Sequence, residues 1–219
     1  MISGLRVAQI KRHQTTNLLS LHYLKKPGNW GASFGLMRDE VMIGVCTFGQ
    51  ASRALQLHAF TEPVAVLELN RFYLKPEYNH ANVGSWFIAR VLRLLPRPVA
   101  IVSFADTGQG HNGGLYRAAN FLYTGLTVSR SRMYLIGTEL VHERALYNNG
   151  ITNPSKWAKD NGVHMTTGPV KHRYYYFLGS HKERRWFRDN LKTAIIDFPK
   201  ETENAKESTD CTARKASEA

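Results

Sequence analysis

Asp106, His111 and Tyr116 fall five residues apart in the stretch SFADTGQGHNGGLYRAANFLYTG, residues 103–125. These are the side chains of proton transfer and ligand binding: a carboxylate accepts protons or holds a cation, imidazole does either, and a phenol can donate. Asp106 ends the apolar run PVAIVSFAD, which puts it at the carboxyl edge of a sheet, where ligands of open α/β sheets collect. Its plain structural alternative is to cap the next turn. His111, between Gly110 and Asn112, either decorates a turn or faces a ligand, and Tyr116 faces either the core or a substrate. Upstream, His22 and Tyr23 close a helical run beside a Pro/Gly loop, and neutral imidazole suits a metal ligand or a general base. Arg71 interrupts the apolar strand VAVLELNRFYL, and a buried guanidinium needs a partner. That partner is Glu68, Glu77 or an anionic group of a substrate. Ser103 and Asn120 are lesser candidates.

The elements that must position these residues read as follows. Residues 4–10 form a strand and 15–24 a short helix; SFGLMR and VMIGVCTFG make a hairpin turning at Asp39 and Glu40. VAVLELNRFYL is a central strand, SWFIARVLRLL a helix burying Trp86, Phe87, Val91, Leu94 and Leu95, and PVAIVSFAD a strand covered on both faces. A helix follows from about Gly113 to Asn120. The expected fold class is α+β: a mixed central sheet flanked by helices, with a basic C-terminal appendage. The domain reading is a catalytic core over 1–129, a basic segment over 130–199 packed on it, and a polar, disordered tail over 200–219.

Lys and Arg number 29 against 17 Asp and Glu, a formal net charge of +12, which favours a polyanionic partner, nucleic acid first. Cys46 and Cys211 are too few for a disulfide framework, and no segment approaches a membrane span or a secretory signal. The expectation is a cytoplasmic protein without a membrane partner; a homodimer is left open.

Several of these pieces occur together, and in order, in a known family. His22-Tyr23, the hairpin GLMRDEVMIGVCTFG, LNRFYL with Arg71, SFAD ending at Asp106, and GHNGGLYRAANFLYTG together resemble the Mom-type DNA-modification proteins of bacteriophages, over roughly residues 15–130. That group is an offshoot of the GNAT acetyltransferase fold, whose final motif LYRAANFLYTG resembles, with Asn120-Phe121 in place of Gly-Phe. The loop KPEYNHANVGS departs from the glycine-dense phosphate loop of ordinary GNAT members and keeps only Gly84 and the helix start.

The resemblance implies a transferase that converts N6 of adenine in double-stranded DNA to a methylcarbamoyl-type derivative and so shields the phage genome from restriction. It implies Asp106, Tyr116, His22 and Tyr23 as catalytic residues, with Arg71, His111 and Ser103 binding substrate. Tyr116 would protonate the leaving group or orient the substrate, and Asp106 would take the N6 proton or ligate a metal. Iron is the implied metal, and His22, Asp106 and His111 supply a two-His, one-carboxylate set, with Tyr23 a competing ligand. The donor is left open between acyl-CoA, a small molecule and an aminoacyl carrier.

For DNA contact the candidates are Lys171 and Arg173 in the aromatic run KHRYYYFL, and Lys182, Arg185, Arg188 and Lys192 on the helix HKERRWFRDNLK. Because N6 is engaged in base pairing, the base must be flipped out, with Trp30, Trp157 or a tyrosine as a stacking surface and the glycine loop flexible enough to admit it. The competing expectations are an N-acyltransferase acting on an RNA, protein or small-molecule amine, and a non-catalytic nucleic-acid-binding protein.

Overall fold

The computed structural model describes residues 2–25, 28–29, 31–80, 82–128 and 131–198. Trp30, Cys211 and the tail at 200–219 lie outside the described residues.

In chain order the elements are β1 (Leu5–Ile10), α1 (Thr16–Leu19), β2 (Ser33–Arg38), β3 (Val41–Gln50), α2 (Arg53–His58), β4 (Val66–Leu74), α3 (Val83–Leu92), β5 (Val99–Asp106), α4 (Gly114–Ala118), β6 (Leu122–Leu126), β7 (Arg132–Ile136), β8 (Glu139–His142), α5 (Glu143–Asn148), α6 (Pro154–Asp160), β9 (His164–Thr167), β10 (Lys171–Leu178) and α7 (His181–Asn190). The β2–β3 hairpin turns through Asp39 and Glu40, both at positive φ (47° and 64°), the left-handed pair that matches the twist of two antiparallel strands. α1 is shorter than expected because its first turn is a 3-10 helix, Arg12–Thr15, tied by the Thr15 hydroxyl donating to the Arg12 carbonyl at 2.7 Å.

Seven strands form one mixed sheet in the order β1-β2-β3-β4-β5-β10-β6, with β4 and β5 parallel and the other neighbours antiparallel. The α+β class with helices on the sheet faces is as expected. One face carries the larger core, in which Phe34, Leu69, Ile101 and Tyr174 pack against Phe87, Ile88 and Val91 of α3. On the other, Phe60, Val102, Tyr175 and Phe177 pack beneath Phe187 of α7, and Leu18 and Leu19 of α1 meet Val45. Within α3 the buried stripe runs through Val83, Phe87, Ile88, Val91 and Leu92, whereas Leu94, expected inside, is 56% exposed. Ile88 and Leu92 complete an i, i+4 row with Gly84, so the helix turns its apolar side one position away from Leu94.

The expected appendage from residue 130 is corrected by the sheet. β10 lies between β5 and β6, paired with β5 over all eight residues, Lys171↔Asp106 to Leu178↔Val99. The segment between β6 and β10 is therefore an insertion between two neighbouring strands. It folds as a three-stranded sheet, β8-β7-β9, over which Tyr134, Leu146 and Ala158 form a separate small core with Trp157 against it. The insertion carries a small positive charge, with Arg130, Arg132, Arg144, Lys156 and Lys159 against Glu139, Glu143 and Asp160. β10 and α7 are net basic as well.

Two irregularities create the site. Pairing of β4 with β5 stops at Leu69↔Ser103, beyond which β4 pairs only with β3 and β5 only with β10. The strands splay, with the Ser103 hydroxyl donating to the Leu69 carbonyl at 3.0 Å at the apex. Between β3 and β4 the register skips Asn70: Phe48 faces Leu69 and Thr47 faces Arg71. In a regular strand residues 68 and 71 would point to opposite faces. The bulge puts Glu68 and Arg71 on the same one, held by the Thr47 hydroxyl donating to Asn70 Oδ1 at 2.6 Å.

Candidate active site

A cavity of about 640 Å³ occupies the splay and joins the two faces of the sheet. Glu68, Arg71, Phe104 and Lys171 line it from the α2/α7 face, and Phe72, Leu115 and Tyr116 from the α3/α4 face. Its rim is the turn after α1, with Leu21, His22, Tyr23 and Leu24, opposite the loop from Gly110 to Gly114. Of the expected site residues, the fold thus brings His22, Tyr23, Arg71, His111 and Tyr116 together. Three of the rim side chains stay open to solvent: Leu21, Tyr23 and Leu24 are 62%, 39% and 38% exposed.

Tyr23 lies between two imidazoles, with its ring centroid 4.4 Å from His22 and 5.5 Å, edge-on, from His111. Burial raises its phenol pKa, Asp106 adds to the rise and Arg71 opposes it. His22 is pushed down to about 4 by burial, then by Arg71 and His111, so the ring is neutral at pH 7. Its Nδ1 accepts from the Leu24 backbone N–H at 3.1 Å. A neutral ring with Nδ1 as acceptor carries its proton on Nε2, so His22 offers the cavity a donor. That corrects the expectation of a general base.

Tyr116 is pushed up to about 12 by burial, partly offset by a hydrogen bond with Ser103. It keeps its proton throughout the physiological range. Ser103 is itself fully buried and acts through Leu69 and Tyr116 rather than lining the cavity.

Asp106 does not line the cavity. Its Oδ1 accepts from Gly108 N–H at 3.0 Å, an N-cap of the turn Thr107–Gln109, and its Oδ2 lies 3.6 Å from Lys171 Nζ. The structural alternative for this residue is realised. The carboxylate that does line the cavity is Glu68, whose pKa is raised by burial against the opposing pull of Lys171 and Arg71. Sequence reasoning had Glu68 only as a partner for Arg71; the skipped register at Asn70, which puts it beside Arg71, leaves no mark in the sequence. Arg71 feels both Tyr23 and Glu68 and donates to the Asn70 carbonyl at 2.5 Å.

The glycine loop is anchored, which corrects the expectation of a flexible one. His111 N–H donates to the Asp106 carbonyl at 3.0 Å, Gly114 N–H to Asn112 Oδ1 at 3.0 Å, and the Tyr174 hydroxyl to the Asn112 carbonyl at 2.6 Å. Gly113, at φ 80°, lies where a Cβ would run into the Tyr174 ring. Gly84 likewise serves packing, since a Cβ there would come within 2.8 Å of Leu115.

The implied iron site does not fit the residues present. His22 Nδ1 accepts a hydrogen bond, which leaves a proton on Nε2, and the Asp106 oxygens are taken by Gly108 and Lys171. Among the described residues no group of three or more His, Cys, Asp or Glu is arranged to hold a metal.

The expected DNA-contact residues separate into two groups. Lys171 belongs to the cavity, and Arg173 is held across the sheet, its Nε donating to Thr124 Oγ1 at 3.0 Å. Lys182, Arg185 and Arg188 are exposed on α7, Arg185 with Asp189 3.7 Å away, and Lys192 lies beyond the helix end. Trp157 packs in the core of the insertion, away from the cavity.

The mixed sheet and the helix bearing Tyr116 are as expected, and the family resemblance read from the motif order is matched by the sequence comparison: a profile of the Mom protein family matches residues 4–200. The chain belongs to the Mom family. No curated protein matches the sequence. Similar solved structures include the ribosomal-protein-S5-alanine acetyltransferase of Vibrio fischeri (9% identity, 81% of this chain and 94% of that one, TM-score 0.47). Others are a GNAT-family acetyltransferase from Bacillus cereus (10%, 79% and 96%, 0.46) and a Bacillus subtilis acetyltransferase in complex with CoA (12%, 80% and 99%, 0.45). Among the described residues no helix is long and apolar enough to cross a membrane.

Proposed function

We propose that this Mom-family protein transfers an acyl-derived, methylcarbamoyl-type group to N6 of adenine in double-stranded DNA, protecting phage DNA from restriction. The observation that carries the reading is the cavity through the sheet. It holds a carboxylate of raised pKa, a phenol that keeps its proton, a guanidinium, and aromatic rings at an exposed rim. An exocyclic amine is a poor nucleophile because its lone pair is delocalised into the ring, so a base must remove its proton as the new bond forms.

Glu68 fills that role: the N6–H proton passes to its carboxylate as N6 bonds to the donor carbon. The bond from that carbon to the leaving group breaks, and Tyr116 supplies the proton the leaving group takes. Arg71 and the Nε2–H of His22 steady negative charge on the donor oxygen, and Tyr23 with His111 offers rings against which a flipped adenine can lie. The donor stays at the class of an activated acyl, on CoA, a small molecule or an aminoacyl carrier.

The test is nucleoside mass spectrometry of plasmid DNA from cells expressing the protein or Tyr116→Phe. A new deoxyadenosine species with the wild type alone is the expected result. Unmodified DNA with both sinks the reading and turns the search to RNA, protein or small-molecule amines.

A further inference from the structure

A second concave site lies toward the other end of the sheet. His181, Arg184, Arg185 and Arg188, at i, i+3, i+4 and i+7 on α7, line a cleft of about 390 Å³ floored by Leu122, Tyr176 and Phe177. Arg185 has Asp189 within reach at 3.7 Å, and Glu183 is spent on the helix start, accepting from Ser180 N–H at 2.7 Å. Among the described residues Arg184 and Arg188 have no carboxylate partner, and both are exposed. Two guanidinium groups one helical turn apart, over a partly apolar floor and with an imidazole alongside, form a fork for phosphate oxygens.

The position of the cleft gives it meaning. The β5–β10 register is regular, so Lys171 and Phe177 project from the same face of the sheet. Lys171 lines the main cavity, and Phe177 stacks at 5.4 Å on Phe187 of α7. α7 therefore sits on the cavity's own face, displaced along β10 by six residues, about 20 Å at strand spacing. A duplex lying along β10 rises about 3.4 Å per base pair along its axis, so the α7 cleft falls about six base pairs, just over half a turn, from the base in the cavity, where the complementary strand faces the protein.

We propose that the α7 cleft is a phosphodiester-binding site, in which Arg184 and Arg188 grip the backbone of double-stranded DNA about six base pairs along the duplex axis from the base held in the main cavity. The proposal rests on the reading of DNA as the acceptor. Of the expected contacts on α7 it keeps Arg188, sets Lys182 and Lys192 aside, and adds Arg184 and His181.

Fluorescence anisotropy with a short labelled duplex tests it without needing the donor. The wild type is compared with Arg184→Ala/Arg188→Ala and with Lys182→Ala/Lys192→Ala, each first checked by circular dichroism for an unchanged fold. Titrations run from about 0.05 M to about 0.2 M salt. Loss of two phosphate contacts should make the slope of log affinity against log salt shallower by about 1.8 and weaken binding about a hundredfold at the low-salt end. The lysine pair should change the slope far less. If the wild type binds duplex and the arginine pair binds with the same slope, the cleft is not the anchor. If the wild type binds no duplex even at low salt, DNA as acceptor and the cleft proposal fall together. Duplex binding absent but an RNA hairpin bound with the shallower slope in the arginine pair would replace DNA by RNA as the occupant.

Discussion

Gly110 and Gly113 bracket His111, both have positive φ (67° and 80°), and the sequence treats them alike. The structure does not. At Gly110 a Cβ would meet open space, so Gly110→Ala carries only the cost of a left-handed backbone for an L-residue, roughly 1–2 kcal/mol. At Gly113 the same Cβ would lie 2.5 Å from Tyr174 Cζ and from its hydroxyl oxygen. Tyr174 is fully buried and its hydroxyl is bonded to Asn112, so the ring has nowhere to yield. Gly113→Ala therefore adds overpacking of about 1–3 kcal/mol. Disturbing the Tyr174–Asn112 bond adds about 0.5–1.5 kcal/mol more. The difference between the two variants should be about 1.5–4.5 kcal/mol.

Urea unfolding of the two purified variants beside the wild type measures this directly. In a double-mutant cycle, Gly113→Ala should cost less in a Tyr174→Ala background than in the wild type, because the clash is with that ring. Gly113 also precedes α4 and so sets where Tyr116 sits, and Gly113→Ala should lose DNA modification while Gly110→Ala keeps it. Two alanine variants within about 0.5 kcal/mol of each other would refute the reasoning, since that is the ordinary scatter of surface substitutions.

Tyr116→Phe should leave the unfolding midpoint almost unchanged and cut adenine modification by about 10²–10⁴-fold, read by nucleoside mass spectrometry. An undiminished yield would remove Tyr116 from the chemistry. Glu68→Gln should abolish modification yet not destabilise the protein at neutral pH. A carboxyl whose folded pKa is raised favours folding below its unfolded value and loses that contribution as pH rises through the raised one, so the Glu68 charge does not itself stabilise the fold; a clear drop in midpoint for Glu68→Gln would mark it as structural. For His22, lowered to about 4, the stability present above its ordinary value of 6.5 is lost as pH falls from 6.5 towards 4. His22→Gln should flatten that stretch of the stability–pH curve; an unchanged curve would show that the imidazole is not buried in its neutral form.

What the sequence determined by itself was local. The Asp39-Glu40 hairpin, the apolar runs of β4 and β5 and the helix bearing Tyr116 follow from turn chemistry and hydrophobic period, which act over a few residues. The motif order identified the family and named five of the residues that share the cavity, because each piece is contiguous in the chain. The tertiary structure decided what depends on pairing between distant strands. A run such as KHRYYYFL carries no mark of its partners, so its place between β5 and β6, and with it the change from appendage to insertion, was invisible.

The skipped register at Asn70 turned Arg71 to the side of Glu68, and a one-residue shift leaves no compositional trace. Asp106 looked catalytic because of where it stands in the chain. Its oxygens are engaged by Gly108 and by Lys171, 65 residues on, while Glu68 faces the cavity. Residue types and their order are written locally. The direction a side chain takes, and which neighbour satisfies it, is settled only when the sheet closes.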